Sequence, residues 1–180
     1  EVEDKLDSLQ KHPKHVEGKE GKLLKEIESL EKEGKKREAL SKYQELEELY
    51  YQGGNIDKAA DTISKSIELF EELGDKNSAG ICMGNLAGIL LQLGYSGQPE
   101  QFDKAEKYCK GALEIIGAGK DKRRQSYLLG SLGNIYLHKK DLDKAWDSYN
   151  QSLGLMAELG DVLGESRGYS NLGNVRLLQE

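Results

Sequence analysis

Three histidines and two cysteines are the residues of this 180-residue chain best suited to metal, acid–base or nucleophilic chemistry. His12 and His15 stand with Glu17 and Glu20 near the N-terminus, a donor set that a divalent metal accepts. No second ligand pair follows, so the stretch reads as a charged, solvated terminus. His138 stands alone, whereas a general base needs a partner that positions it; it reads as a surface or groove histidine. Cys82 and Cys109 lack metal-ligand spacing and read as small apolar fillers. No disulfide between them is forced, and a reducing compartment is expected. Gly117-Ala118-Gly119-Lys120 opens a helix but lacks the Ser/Thr and the spacing of a phosphate-cradling loop. Lys122-Arg123-Arg124 falls near a helix start, where positive charge opposes the macrodipole. Two readings stay open for it: a solvated turn balancing an acidic surface, or a contact for an acidic partner. No catalytic residue, metal or cofactor is expected.

The elements that would position these residues are helical. Hydrophobic residues make up 37% of the chain and charged residues 32%. That is lean for a compact core but suits a thin array in which each unit buries apolar surface only against its neighbours. Tyr, at nine, outnumbers Phe and Trp together, so polar-tipped aromatics carry much of the bulk. The two prolines, Pro13 and Pro99, leave Leu23 to Gly94 free of any residue that forbids helix. The net charge of −6 gains nothing from phosphate attraction, so nucleic acid is not an expected partner. No apolar stretch has the length of a membrane span and no signal peptide is visible, so a cytoplasmic location without membrane insertion is expected. Starting without Met and stopping inside a helical pattern, the chain is expected to be a fragment.

Spacing reveals a repeat. Gly133, in Gly-Ser-Leu-Gly-Asn, and Gly173, in Ser-Asn-Leu-Gly-Asn, lie 40 residues apart. Ala87 lies 46 before Gly133, and Glu47 a further 40 before that. A second landmark, Asp-Lys-Ala, ends at Ala59, Ala105 and Ala145, and each of these precedes the next small landmark by 28 residues. The extra six residues fall in one place, Tyr95 to Glu100, where Gly97 and Pro99 suggest an exposed loop. Apolar residues recur at helical spacing between the landmarks, as in Tyr43, Leu46, Leu49 and Tyr50, then Ile63, Ile67 and Phe70. Helices are expected near 36–52, 55–73, 77–93, 101–116, 121–139, 141–159 and 162–179. Gly133, Gly173 and Ala145 are expected where paired helices cross, because a helix glycine costs about 1 kcal/mol and needs a packing reason. Glu47, at the matching place of the first unit, must reach solvent or find a partner. Gly84, Gly130 and Ser170 share another position, whose glycines are read either as clearing a groove wall or as drift.

A small residue in one helix, an Ala twelve residues later, and bulky Leu129, Leu132, Tyr136 and Tyr149 around them resemble the tetratricopeptide family. The 40-residue spacing, with Asn-Leu-Gly-Asn at 171–174 and Glu-Leu-Gly-Asp at 72–75 and 158–161, is most similar to the branch that includes Pins/LGN-type scaffolds; kinesin light chains have a similarly long repeat. Glu47 and Ala87 in place of Gly, Arg176 in place of an aromatic, and the six-residue insertion depart from the pattern. The resemblance implies an all-α, α-α superhelix: a solenoid of antiparallel helix pairs. Repeats are placed near 40–75, 80–116, 126–160 and, in part, 166–180, within an array over 36–180. Residues 1–35 read as a worn N-terminal helical cap: Leu23, Leu24, Ile27 and Leu30 match the second helix of a preceding unit, whose first helix would fall within 3–15.

The resemblance also implies a concave groove lined by the first helix of each pair, and a non-catalytic scaffold or adaptor that binds a peptide or helix of a partner there. Asn85, Gln92, Tyr127, Asn134, His138, Arg167, Asn171 and Asn174 are the groove residues expected on that basis. Amides and an Arg suit an extended peptide because they satisfy its backbone groups without reading every side chain. Asn134 and Asn174, one repeat apart, are expected to bond that backbone, and Arg167 to meet an acidic group. The alternatives are a peptide-sensing module of a larger regulator, or a partner-binding arm of an enzyme or motor complex. The sequence leaves the oligomeric state open.

Overall fold

The computed structural model describes residues 18–117 and 121–180. They form eight helices and no strand among the described residues: α1 (residues 18–32), α2 (Lys36–Gln52), α3 (Ile56–Glu72), α4 (Lys76–Tyr95), α5 (Gln101–Ile116), α6 (Lys122–His138), α7 (Leu142–Leu159) and α8 (Val162–Gln179). The fold is all-α and built of tetratricopeptide-like helix pairs. The metal-donor sketch at His12, His15 and Glu17, the helix expected within 3–15, and Ala118 to Lys120 lie outside the described residues.

The turns explain the period. Aspartates at one repeat position, Asp75, Asp121 and Asp161, cap α4, α6 and α8 by accepting backbone N–H bonds from Ser78, Arg124 and Gly164 at 3.1, 3.0 and 2.9 Å. Each satisfies a donor that the first helical turn leaves free. Gly34, Gly74 and Gly160, at the preceding turns, take φ between 65° and 73°, where a side chain is disfavoured.

The chain divides into two compact units after Gly74. The first holds α1 to α3. Leu23 and Ile27 of α1 are buried with Leu40, Tyr43, Leu46 and Tyr50 of α2 and Ala59 of α3. The Tyr50 hydroxyl donates to Glu20 at 2.9 Å, and Lys58 meets the same carboxylate at 2.8 Å while lying 5.2 Å above the Tyr50 ring. These bonds, the Lys58 one first, hold the Glu20 pKa below the usual carboxylate range. Glu47 sits half-buried, and burial, with Glu48 adding, pushes its carboxyl upward. That is the cost of an acid where the other units carry Ala or Gly.

The second unit holds α4 to α8. Its close approaches fall on small residues. Ala87, Ala105 and Ala145 are fully buried, and a Cβ on Gly133 would stand 2.5 Å from the Tyr149 ring. Gly80 is likewise closed by Ile115 at 2.8 Å. Gly173 departs from this pattern: a Cβ there meets nothing within 4 Å, so no crossing is made at that glycine among the described residues.

The insertion is also not all loop. Tyr95 is the last residue of α4, so part of the extra length extends that helix. Its ring meets Phe102 edge-on at 5.4 Å and stacks on His138 at 5.6 Å, while Phe102 fits against Gly94 too tightly for a Cβ there. The reading of residues 95–100 as an exposed loop is therefore corrected at Tyr95, which belongs to α4. Tyr95→Ala should lower the unfolding free energy by about 1 kcal/mol, from lost aromatic contacts. Urea titration reads this, and an unmoved midpoint would show that the ring contributes nothing.

Candidate functional site

Four of the eight expected groove residues line one cavity of about 230 Å³ among α6, α7 and α8: Tyr127, Asn134, Arg167 and Asn171. The cavity exists because small residues hold the helices near each other without filling the space. On α8, Gly168 brings the backbone to within 3.0 Å, measured from an added Cβ, of the Leu153 side chain on α7. Gly130 of α6 leaves the wall open, its nearest neighbour being the Ser152 hydroxyl at 3.6 Å from such a Cβ. Clearing the wall is thus the physical reading of Gly130. Its repeat mate Gly84 is buried with Leu128 at 3.4 Å and serves packing.

The floor is polar but satisfied from within. The Tyr149 hydroxyl donates to Asn134 Oδ1 at 2.7 Å, and burial raises its pKa, so it stays protonated. That bond occupies one lone pair of the Asn134 carbonyl, and its amide N–H groups can donate to a ligand. Ser152 donates to the Ser126 carbonyl at 2.7 Å, and Ser126 to the Arg123 carbonyl at 2.8 Å. At the edge, one oxygen of Asp161 is occupied by the Gly164 N–H. Arg167 is exposed, and no ion pair among the described residues holds it. Asn134, Arg167, Asn171 and the Ser131 hydroxyl make the cavity rich in donors, while Leu163 and Met156 give it an apolar side.

The other expected residues lie elsewhere. Asn85 and Gln92 are exposed on α4, and Asn174 is exposed on α8 outside the cavity lining. His138 is on the Tyr95–Phe102 cluster, 4.1 Å from the Phe102 ring. Sequence reasoning missed Ser131, Met156 and Leu163. The first two sit inside apolar or small-residue helix faces, where periodicity shows only core. For Leu163, at the start of α8, no signal in the sequence set it apart.

Two cations of the 122–124 run are held internally, Lys122 by Glu158 at 2.6 Å and Arg124 by Asp121 at 3.5 Å. Cys109 is buried, which pushes its thiol up to about 12, so no thiolate forms near neutrality. Among the described residues, no group of three His, Cys, Asp or Glu residues is placed to hold a metal, and no helix is long and apolar enough to cross a membrane.

The geometry defines a helix-pair protein with a donor-lined cavity. No family model matches the chain. Among curated proteins it is similar to the 43 kDa receptor-associated protein of the synapse from Tetronarce californica, 27% identical over 126 residues, which covers 68% of this chain and 29% of that protein. Among solved structures it is similar to BtubC (BKLC) from P. vanneervenii, with a TM-score of 0.64 and 24% identity over 97% of this chain and 78% of that one. That likeness concerns the fold alone. A likeness to the MamA RS-1 ArsTM double mutant, at TM-score 0.47 and 13% identity over 90% of this chain and 97% of that one, adds nothing to it.

Proposed function

We propose that this chain is a non-catalytic protein-interaction scaffold that holds an extended segment of a partner protein across the α6–α8 cavity, with an acidic group of that segment at Arg167. The observation that carries the reading is the donor-rich lining. Asn134, with one lone pair of its carbonyl engaged by Tyr149, can give hydrogen bonds from its amide N–H groups, and Arg167 and Asn171 stand beside it. Such a surface suits peptide carbonyls and carboxylates. Asn174, Asn85 and Gln92 extend the contact along α8 and α4. His138 is left out, its ring being stacked on Tyr95. The likeness to a receptor-associated protein of the synapse supports a scaffold, although the chain spans only 29% of that protein's length. We place the chain in the forty-residue-repeat branch represented by Pins/LGN-type scaffolds, in the cytoplasm, with no nucleic-acid ligand.

A pull-down with the intact chain identifies the partner, and calorimetric titration of its binding segment then tests the site. Arg167→Ala is expected to weaken binding by about 1.5–3 kcal/mol, and Asn171→Ala by about 1 kcal/mol, with melting temperatures unchanged. Asn134→Ala is not a clean probe because it also strips a buried Tyr149 of its acceptor. Binding that survives both clean substitutions, and is lost on changing exposed Asn150 or Gln151 of α7, would move the working surface to the other side.

A further inference from the structure

The cavity among α6, α7 and α8 falls where the preceding repeat places a leucine. Tyr127 and Leu128 of α6 hold the repeat positions that Arg167 and Gly168 hold on α8, and Gly84 of α4 holds the position of Gly130 on α6. In the earlier repeat the space is filled. Leu128 is fully buried, with a methyl carbon 3.4 Å from a Cβ built on Gly84, and the Tyr127 hydroxyl lies 2.8 Å from one built on Gly88. On α8, Gly168 removes the leucine. A Cβ on Gly130 then meets only the Ser152 hydroxyl, at 3.6 Å, and the cavity opens beside it. Its walls all belong to α6, α7 and α8, helices that the chain itself contains.

We propose that the partner segment supplies the missing side chain: a branched aliphatic residue of leucine size seated over Gly130, with an acidic residue two positions away at Arg167. This rests on the peptide-binding reading above and adds what the segment must carry. The seat is apolar where it counts, since Met156, Leu163 and the Tyr149 ring line it. The Ser126 and Ser152 hydroxyls at its border are spent on the carbonyls of Arg123 and Ser126, so neither asks for a polar guest. Ser131 does ask for one. It is only 7% exposed, it lines the cavity, and its hydroxyl makes no hydrogen bond among the described residues. A buried hydroxyl without a partner is costly, and a backbone carbonyl of the incoming segment relieves it. Arg167, which no ion pair among the described residues holds, sets the acidic end of the segment. Residues two apart in an extended chain point to the same side, so one outward residue separates the aliphatic and the acidic one. Gly168 and Gly130 are thus the specificity-determining residues, because any side chain on either would take the guest's place.

Two probe peptides test the seat, acetyl-Leu-Gly-Asp-amide and acetyl-Ala-Gly-Asp-amide. Each is titrated into the isotope-labelled 180-residue chain and followed by nuclear magnetic resonance at the Gly130 and Gly168 amides. The leucine probe is expected to bind at least about tenfold more tightly than the alanine probe. Gly168→Leu puts back the side chain that Leu128 provides one repeat earlier and should erase that preference. Because a Cβ there presses on Leu153 at 3.0 Å, Gly130→Leu is the second variant, its first carbon making only an ordinary contact. Helical circular dichroism must be intact in the variant that is read. Equal binding of the two probes, lost in Arg167→Ala, overturns the aliphatic seat and leaves the peptide site standing. Gly130 and Gly168 signals that neither probe moves overturn the seat as well, while calorimetry with the captured partner still decides the scaffold reading. A leucine preference that survives both filling substitutions puts the side chain elsewhere and overturns the proposal.

Discussion

Replacing Gly133 by Leu should cost about 3 kcal/mol, the upper end of what overpacking a core does, while Gly173→Leu in dilute solution should cost nothing. The two glycines occupy the same repeat position and, on helix propensity alone, both substitutions would be favourable by somewhat under about 1 kcal/mol. What separates them is the neighbour. At Gly133 the first added carbon already stands 2.5 Å from two atoms of the Tyr149 ring, which is itself buried and anchored by its hydroxyl on Asn134. The ring cannot yield without giving up that bond, so α6 and α7 must separate. At Gly173 the space is empty. Urea unfolding reads both variants side by side. Equal midpoints for the two would mean that the tight approach at Gly133 carries no energetic weight.

That contrast also marks how far the sequence was legible. Helix positions and the 40-residue period followed from residue numbers because the small landmarks and turn glycines are local: each is demanded by one turn or one crossing. Seven expected helices lie within about two residues of the observed ones at each end, judged against the usual uncertainty of helix ends. What a local pattern cannot report is whether the partner of a landmark is present. Gly173 carries the same motif as Gly133, yet its meaning depends on a helix that the motif does not encode. Tyr95 was misplaced for a related reason. Gly97 and Pro99 signal a break, but the stop falls after Tyr95 because Phe102 and His138 receive its ring, a contact between helices that only the fold brings together.

The candidate site was legible in part for the same reason. Arg167, Asn171, Tyr127 and Asn134 could be placed on one side by counting around the helix, and the cavity does gather them. That the Asn134 carbonyl is committed to Tyr149 was not readable, because the partner sits fifteen residues on in the next helix. Nor was the stepwise recurrence of a carboxylate clasp. Glu106, Tyr136 and Lys144 each lie 86 residues after Glu20, Tyr50 and Lys58, two repeats with the insertion included, while the repeat between has Ala60 and Leu90 at the first two places. A period of two repeats is easily missed when a period of one is being counted.

Glu106→Gln is the second substitution expected to have a large effect, and its signature is a dependence on pH. Burial alone would raise the Glu106 pKa, but Lys110 at 2.7 Å and Lys139 at 2.5 Å, with the Tyr136 hydroxyl at 3.1 Å, outweigh it and bring the carboxyl from 4.5 to about 2. The side chain is only 18% exposed, so solvent screening removes little of this. A carboxylate whose pKa is lower folded than unfolded stabilises the fold above the unfolded value and ceases to as pH falls through the folded one. The corresponding contribution near neutrality is about 2–3 kcal/mol, reduced somewhat because Lys139 keeps Asp103 when Glu106 is gone. Glutamine has the shape of the protonated acid, so it should behave as wild type does once Glu106 has taken up its proton. The difference in unfolding free energy between Glu106→Gln and wild type should therefore be about 2–3 kcal/mol at pH 7, shrink below about pH 4.5, and vanish near pH 2. Taking the difference cancels the other carboxylates, Glu20 included, which titrate alike in both proteins. A gap that persists unchanged to pH 2.5 would show that glutamine fails there for steric reasons, and that the α5–α6 joint is not held by charge.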